Sequence, residues 1–155
     1  MTTSKSIELE LRMPPFAMAL YGLSLVIAAV MVVVFFQQGF FDDASGLVFP
    51  LFLAGIVAFN TATALSRARA YADGTLEVRN RFRTRTLQRA DVDRVMVGQE
   101  GGLGSARRLE LLLTDGEVLP IVGTERPPLP GARQHLQEQG EQLRAWAAGT
   151  PTPYR

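Results

Sequence analysis

Arginine is the one residue type in this sequence whose spacing points to a binding chemistry. Arg79, Arg81, Arg83 and Arg85 alternate, so an unbroken strand would bring all four guanidinium groups to one face. A turn at Asn80-Arg81 would break that row and leave Arg83 and Arg85 as a pair. Arg67 and Arg69 lie just upstream, and Arg67 to Arg94 holds eight arginines against Asp73, Glu77, Asp91 and Asp93. Guanidinium groups near an anionic membrane surface are attracted to it, and they also bind carboxylates and phosphates. Three readings compete for Arg67, Arg69, Arg79, Arg81, Arg83 and Arg85. They form a solvated strand face paired with Glu77, Asp91, Asp93 or Glu110; or they contact lipid headgroups; or they hold a phosphorylated or acidic ligand. Nucleic acid is not an expected partner, because Phe82 is the only aromatic platform beside them.

Other chemistries find little support. The chain has no cysteine, which excludes disulfides and thiolate metal sites. His135 is the only histidine, with Glu138 its one close acidic neighbour, whereas zinc takes several His or Cys ligands. Gly102-Leu103-Gly104 begins a nucleotide-loop pattern, but the third glycine falls at Arg107 and a strand, not a helix, follows. No serine lies in a G-x-S-x-G context. Asp91 and Asp93 read as turn and solvent-face residues. The sequence therefore predicts no catalytic residue, no cofactor and no metal.

The elements that must position the arginines begin with two apolar runs, Pro14–Phe36 and Leu47–Leu65, free of charged side chains. Each is about 20 residues, the length an α-helix needs to cross a bilayer core. The first is too long for a secretory h-region, and no small-x-small cleavage site follows it. Lys5 and Arg12 precede the first run, Arg67 and Arg69 follow the second, and Asp42 and Asp43 sit between them. The positive-inside rule then places both termini in the cytoplasm and the turn outside a plasma membrane. Ala54, Ala58 and Ala62 make a smooth ridge on the second helix, matched in part by Ser24 and Ala28 on the first. Such ridges let helices approach closely. They would either pack the two helices on each other or receive another membrane protein or a second copy.

Past the second run the period changes from helical to two. Thr75–Arg79 follows the turn signal Asp73-Gly74, and Phe82–Leu87 alternates again. Arg94–Val97 makes a further strand. Arg108–Leu113 and Glu117–Val122 flank Thr114-Asp115-Gly116, a strong hairpin signal. Ala132–Ala148 reads as a helix with an apolar stripe at Ala132, Leu136, Leu143 and Trp146, weakened by Gly140. A terminal helix over the open end of a small curved sheet would complete its core. The expected organisation is an α+β membrane protein. It has a flexible tail over 1–13, with Ile7–Leu11 near the membrane surface, and a transmembrane hairpin over 14–66, with helices at 14–36 and 47–65. A cytoplasmic domain over 67–148 and a disordered tail over 149–155 complete it.

Asp73-Gly74-Thr75-Leu76-Glu77-Val78-Arg79-Asn80-Arg81-Phe82-Arg83-Thr84-Arg85, followed by Ala90-Asp91-Val92, resembles the bacterial pleckstrin-homology-like domains. It is most similar to the actinobacterial group named after low-molecular-weight protein antigen 6. That pattern opens on D-G and V-R-N and continues through an Arg-rich strand; Arg89 stands where the group often has Trp. The resemblance covers about residues 67–148. It implies a pleckstrin-homology-like β-barrel or sandwich, a C-terminal capping helix and no enzymatic activity. The resulting expectation is a membrane-anchored adaptor or accessory subunit, with an anionic-lipid or small-ligand sensor as the alternative. A membrane-embedded enzyme or transporter component is disfavoured, since neither apolar run carries a charged side chain.

Overall fold

The structure is a computed structural model that describes residues 6–39, 48–99, 106–126 and 131–150. The chain forms two units. One is a pair of apolar helices, Pro14–Ala64; the other is an α+β unit joining the residues before Pro14 to those from Leu65 onward.

In the helical unit, α1 spans Pro15–Gln37 and α2 spans Val48–Ala64. Proline at the first turn of α1 costs no hydrogen bond. With 23 residues and a mean hydropathy of 2.6, α1 is long and apolar enough to cross a membrane. The second apolar run forms a shorter helix of 17 residues. Ala28 is the one buried residue of α1, and Phe16, Leu23, Val26, Val30 and Val33 are all exposed. The helices meet through Phe35 and Phe49, edge to face at 4.7 Å, and through Asn60 Nδ2, which donates to Ser24 Oγ at 3.5 Å. The hydroxyls of Ser24, Thr61 and Thr63 donate to carbonyls of their own helices, at Tyr21, Val57 and Phe59. Ser24 and Ala28 thus serve the helix contact, whereas Ala54 and Ala58 of the alanine ridge do not. Ala54 and Ala58 are exposed and Ala62 is half-buried. The expected turn at 37–46 falls largely outside the described residues.

The α+β unit corrects the expected tail. Ile7–Arg12 is a strand, β1, whose Leu11 is buried in the core. It pairs antiparallel with β2, Arg67–Tyr71, so that Arg12 faces Arg67. Both apolar helices are therefore an insertion between two neighbouring strands, and the unit starts before them rather than at residue 67. β3, Thr75–Asn80, and β4, Arg83–Gln88, complete a first sheet in the order β1-β2-β3-β4. A 3-10 turn at Arg89–Asp91 then carries the chain to the second sheet. There Asp91 Oδ2 accepts the Gln88 N–H at 2.7 Å, and the Asp91 carbonyl accepts the Thr114 N–H at 2.9 Å. β5, Val92–Gln99, β6, Arg107–Leu113, and β7, Val118–Arg126, pair in order. Gly116 takes φ 85° in the β6–β7 turn. Among the described residues no ladder joins one antiparallel sheet to the other, so the two do not close into a barrel.

The helix α3, Ala132–Ala147, closes the core. Leu11, Ala68, Leu76 and Val78 from the first sheet meet Val95, Leu109, Leu111 and Ile121 from the second, with Leu136, Leu143 and Trp146 from α3. Gly140 sits where the helix backbone approaches the sheet: a Cβ there would stand 3.3 Å from Leu109 Cδ2. At Gly123 a Cβ would meet the Ser66 carbonyl at 2.6 Å, so only glycine lets β7 cross the start of β2. Trp146 Nε1 donates to the Tyr71 carbonyl at 3.1 Å, and the Arg89 guanidinium stacks on its ring at 4.9 Å. Arg89 therefore covers the core tryptophan. Residues 100–105, which hold Gly102-Leu103-Gly104, the prolines at 127–130 and the end of the C-terminal tail lie outside the described residues.

Candidate functional site

The six arginines do not share one surface. The β3–β4 turn falls at Arg81-Phe82, one residue later than the sequence predicts, with Asn80 facing Arg83. Arg81 takes φ 37°, in the left-handed region that side chains other than Gly and Asn rarely adopt. Three hydrogen bonds hold it there. The Arg81 N–H donates to Ser66 Oγ at 2.8 Å, Asn80 Nδ2 donates to the Pro120 carbonyl, and Asn80 Oδ1 accepts the Val122 N–H at 2.9 Å. A single amide thus fastens the turn of the first sheet to the edge of β7. Asn80→Ala would strand a donor and an acceptor of β7, and should lower stability by about 1–3 kcal/mol in chemical denaturation of the purified chain. An unchanged midpoint would show that water takes over both groups.

The turn divides the basic residues. Arg79 faces Thr84 and lies on the outer face; Arg83 and Arg85 face Asn80 and Val78 and lie on the opposite side. Arg81, Arg83 and Arg85, with Phe82, Val118 and Pro120, line an open groove of about 600 Å³ between the β3–β4 hairpin and β7. Phe82 is 73% exposed. Arg85 is paired with Glu117 at 2.5 Å, a contact that raises its pKa and partly fills the groove with the chain's own carboxylate. Arg81 reaches Glu125 at 3.6 Å, which Arg108 also holds at 3.3 Å. On the outer face Arg69 pairs with Glu10 at 2.8 Å, and Arg12 meets the same carboxylate at 2.7 Å. The hydrogen bond from Arg12, helped by Arg69 and opposed by burial, holds the Glu10 carboxyl below the usual carboxylate range. Among the described residues no carboxylate pairs with Arg67, Arg79 or Arg83.

The acidic partners differ from those the sequence offers. Glu10, Glu117 and Glu125 neutralise Arg69, Arg85 and Arg81, while Glu110 serves Arg108 at 3.2 Å. The first three of these matches are not local in sequence, so no spacing rule could find them. Sequence reasoning also missed Arg126, a buried guanidinium whose Nη1 has no partner among the described residues and whose pKa burial pushes down. His135 lies exposed beside Glu138 at 3.5 Å. Among the described residues no three His, Cys, Asp or Glu side chains gather as a metal site. What the arrangement offers is binding: cationic forks, an exposed aromatic ring and an open groove. No protein-family model matches the chain, and a search of curated proteins finds no relative.

Proposed function

We propose that this chain is a non-enzymatic, membrane-anchored adaptor. Its two apolar helices cross the plasma membrane as a hairpin and hold a pleckstrin-homology-like domain at the cytoplasmic face, where it serves a larger membrane complex. The observation that supports this most is the placement of α1 and α2. An α1 that is apolar on every face, and exposes all but the stripe that meets α2, is inserted between two strands that pair with each other, Arg12 to Arg67. A helix hydrophobic on every side suits lipid, not water. An insertion that leaves from one strand and returns to its neighbour brings both chain ends to the same side of the bilayer. Arg12, Arg67 and Arg69 at those ends, against Asp42 and Asp43 between the helices, make that side cytoplasmic. A second membrane protein, or a second copy of the chain, would meet the hairpin on the outward Ala54–Ala58 ridge. The groove lined by Arg81, Arg83 and Arg85 supports a second reading, a domain that senses an anionic small ligand.

The absence of cysteine makes the topology directly testable. With single substitutions Ser45→Cys and Ser105→Cys, a membrane-impermeant thiol reagent applied to intact cells should label position 45 alone. Position 105 should react only after permeabilisation. The opposite pattern would reverse the orientation, and labelling of both in intact cells would remove the two-helix crossing.

A further inference from the structure

Every strand of the first sheet carries an arginine at the same end. Arg12 is the last residue of β1, Arg67 the first of β2, Arg79 the penultimate residue of β3 and Arg83 the first of β4. Arg12, Arg67 and Arg79 are successive cross-strand partners, so they form one row on the outer face. Like charges placed directly opposite one another on neighbouring strands are destabilising. Among the described residues only Arg12 in this row has a carboxylate, Glu10, and Arg67 Nε is buried without a hydrogen-bond partner. A fold that needed only a solvated face would gain by breaking this row.

The end they mark is the one where the chain leaves for α1 and returns from α2. Pro15 opens α1 three residues after Arg12, and Ala64 closes α2 three residues before Arg67. Three residues span at most about 10 Å. The β3–β4 turn belongs to the same end, because the Arg81 N–H is bonded to Ser66 Oγ, one residue from Arg67. At its tip stands Phe82, 73% exposed and flanked by Arg81 and Arg83. An aromatic ring at the level of the headgroups, ringed by guanidinium groups, can enter the acyl boundary while the cations stay with phosphate.

We propose that this end of the sheet is a lipid-docking rim: Arg67, Arg79 and Arg83 bind the phosphates of anionic lipids, and Phe82 inserts beside them. The proposal rests on the hairpin lying in the bilayer, and it goes further, because a tethered domain need not touch the surface. The anionic headgroup neutralises Arg67, Arg79 and Arg83, with which no carboxylate of the described residues pairs. The domain is then held in one orientation on the membrane, with the β6–β7 turn at Asp115 left free in water.

Site-directed spin labelling of the full chain in lipid nanodiscs tests this. A nitroxide is placed singly by Phe82→Cys, where its apolar ring stands in for the phenyl group, by Asp115→Cys, or by Val26→Cys within α1. In nanodiscs containing phosphatidylglycerol, the label at 82 should favour oxygen over a water-soluble nickel chelate, and the label at 115 should show the reverse. In pure phosphatidylcholine, or with Arg67→Gln, Arg79→Gln and Arg83→Gln combined, position 82 should revert to the aqueous pattern. An aqueous signal at 82 in anionic nanodiscs, with a lipid signal at 26, would overturn the docking rim and leave the anchor standing. A signal at 82 that is lipid-like in both lipid types and indifferent to the three substitutions would overturn the role of the arginines. An aqueous signal at 26 would overturn the anchor and the rim together.

Discussion

Trp146→Ala should lower the stability of the α+β unit by about 3–5 kcal/mol, the range for deleting a large core aromatic. The ring is fully buried and belongs to the cluster through which α3 joins both sheets. The loss extends beyond volume. The Tyr71 carbonyl would lose the indole N–H at 3.1 Å, and Arg89 would lose the ring it covers, leaving a guanidinium whose Nε is already buried without a partner. Trp146→Phe keeps most of the apolar contact and gives up the hydrogen bond, so it should cost far less. Urea unfolding followed by circular dichroism, in mild detergent, reads both variants without relying on the chain's only tryptophan. An alanine variant with the wild-type midpoint would mean that α3 does not close the core.

A chain that starts at residue 68 should not reach a stable fold. It lacks β1, which fills the core with Leu11 at 1% exposure and is followed by Met13 at 4%. Without β1 the backbone of β2 becomes an open edge. Emptying a core site of one leucine typically costs about 2–5 kcal/mol, a large share of a domain total of about 5–15 kcal/mol. A soluble version should fold if Met13 is joined to Ser66 through Asn-Gly, a turn suited to neighbouring antiparallel strands. It should give dispersed amide resonances and one cooperative melt, while residues 68–150 alone should give neither. Equal stability of the two would show that β1 contributes nothing to the core.

The sequence carried the local features well. The stripe of Leu136, Leu143 and Trp146 sits on 3.6 periodicity, the turn at Thr114-Asp115-Gly116 on composition, and the apolar runs on length. Arg83 and Arg85 emerged as a pair for the reason the alternation suggested. What stayed hidden depends on contacts far apart in the chain. The Ile7–Arg12 stretch does alternate, but six residues next to a long apolar run carry little weight until a partner is known. The partner is β2, where Arg69 meets Glu10 across 59 residues. The same distance hid Glu117 beside Arg85, the two β7 bonds of Asn80 and the cover that Arg89 gives Trp146. Gly140 read as a weak point in a helix, and its close approach to Leu109 became visible only with the sheet in place. The order of short strands followed by one amphipathic stripe anticipated a terminal helix over a β core, but not a first strand detached from the rest by two apolar helices.

That detachment bears on how the protein is made. During synthesis β1 leaves the ribosome before the apolar segments and β2 after them, so the first strand waits until both segments have been made. If the pair crosses the bilayer, β1 can find β2 only when the second segment has brought the chain back to the starting side. A chain stalled with one crossing would keep the two strands in different compartments. Its sheet would stay unfinished, the place of Leu11 would stay empty, and the exposed β2 edge would invite proteases and chaperones. If the helices cross the bilayer, completion of the sheet therefore doubles as a check on their insertion.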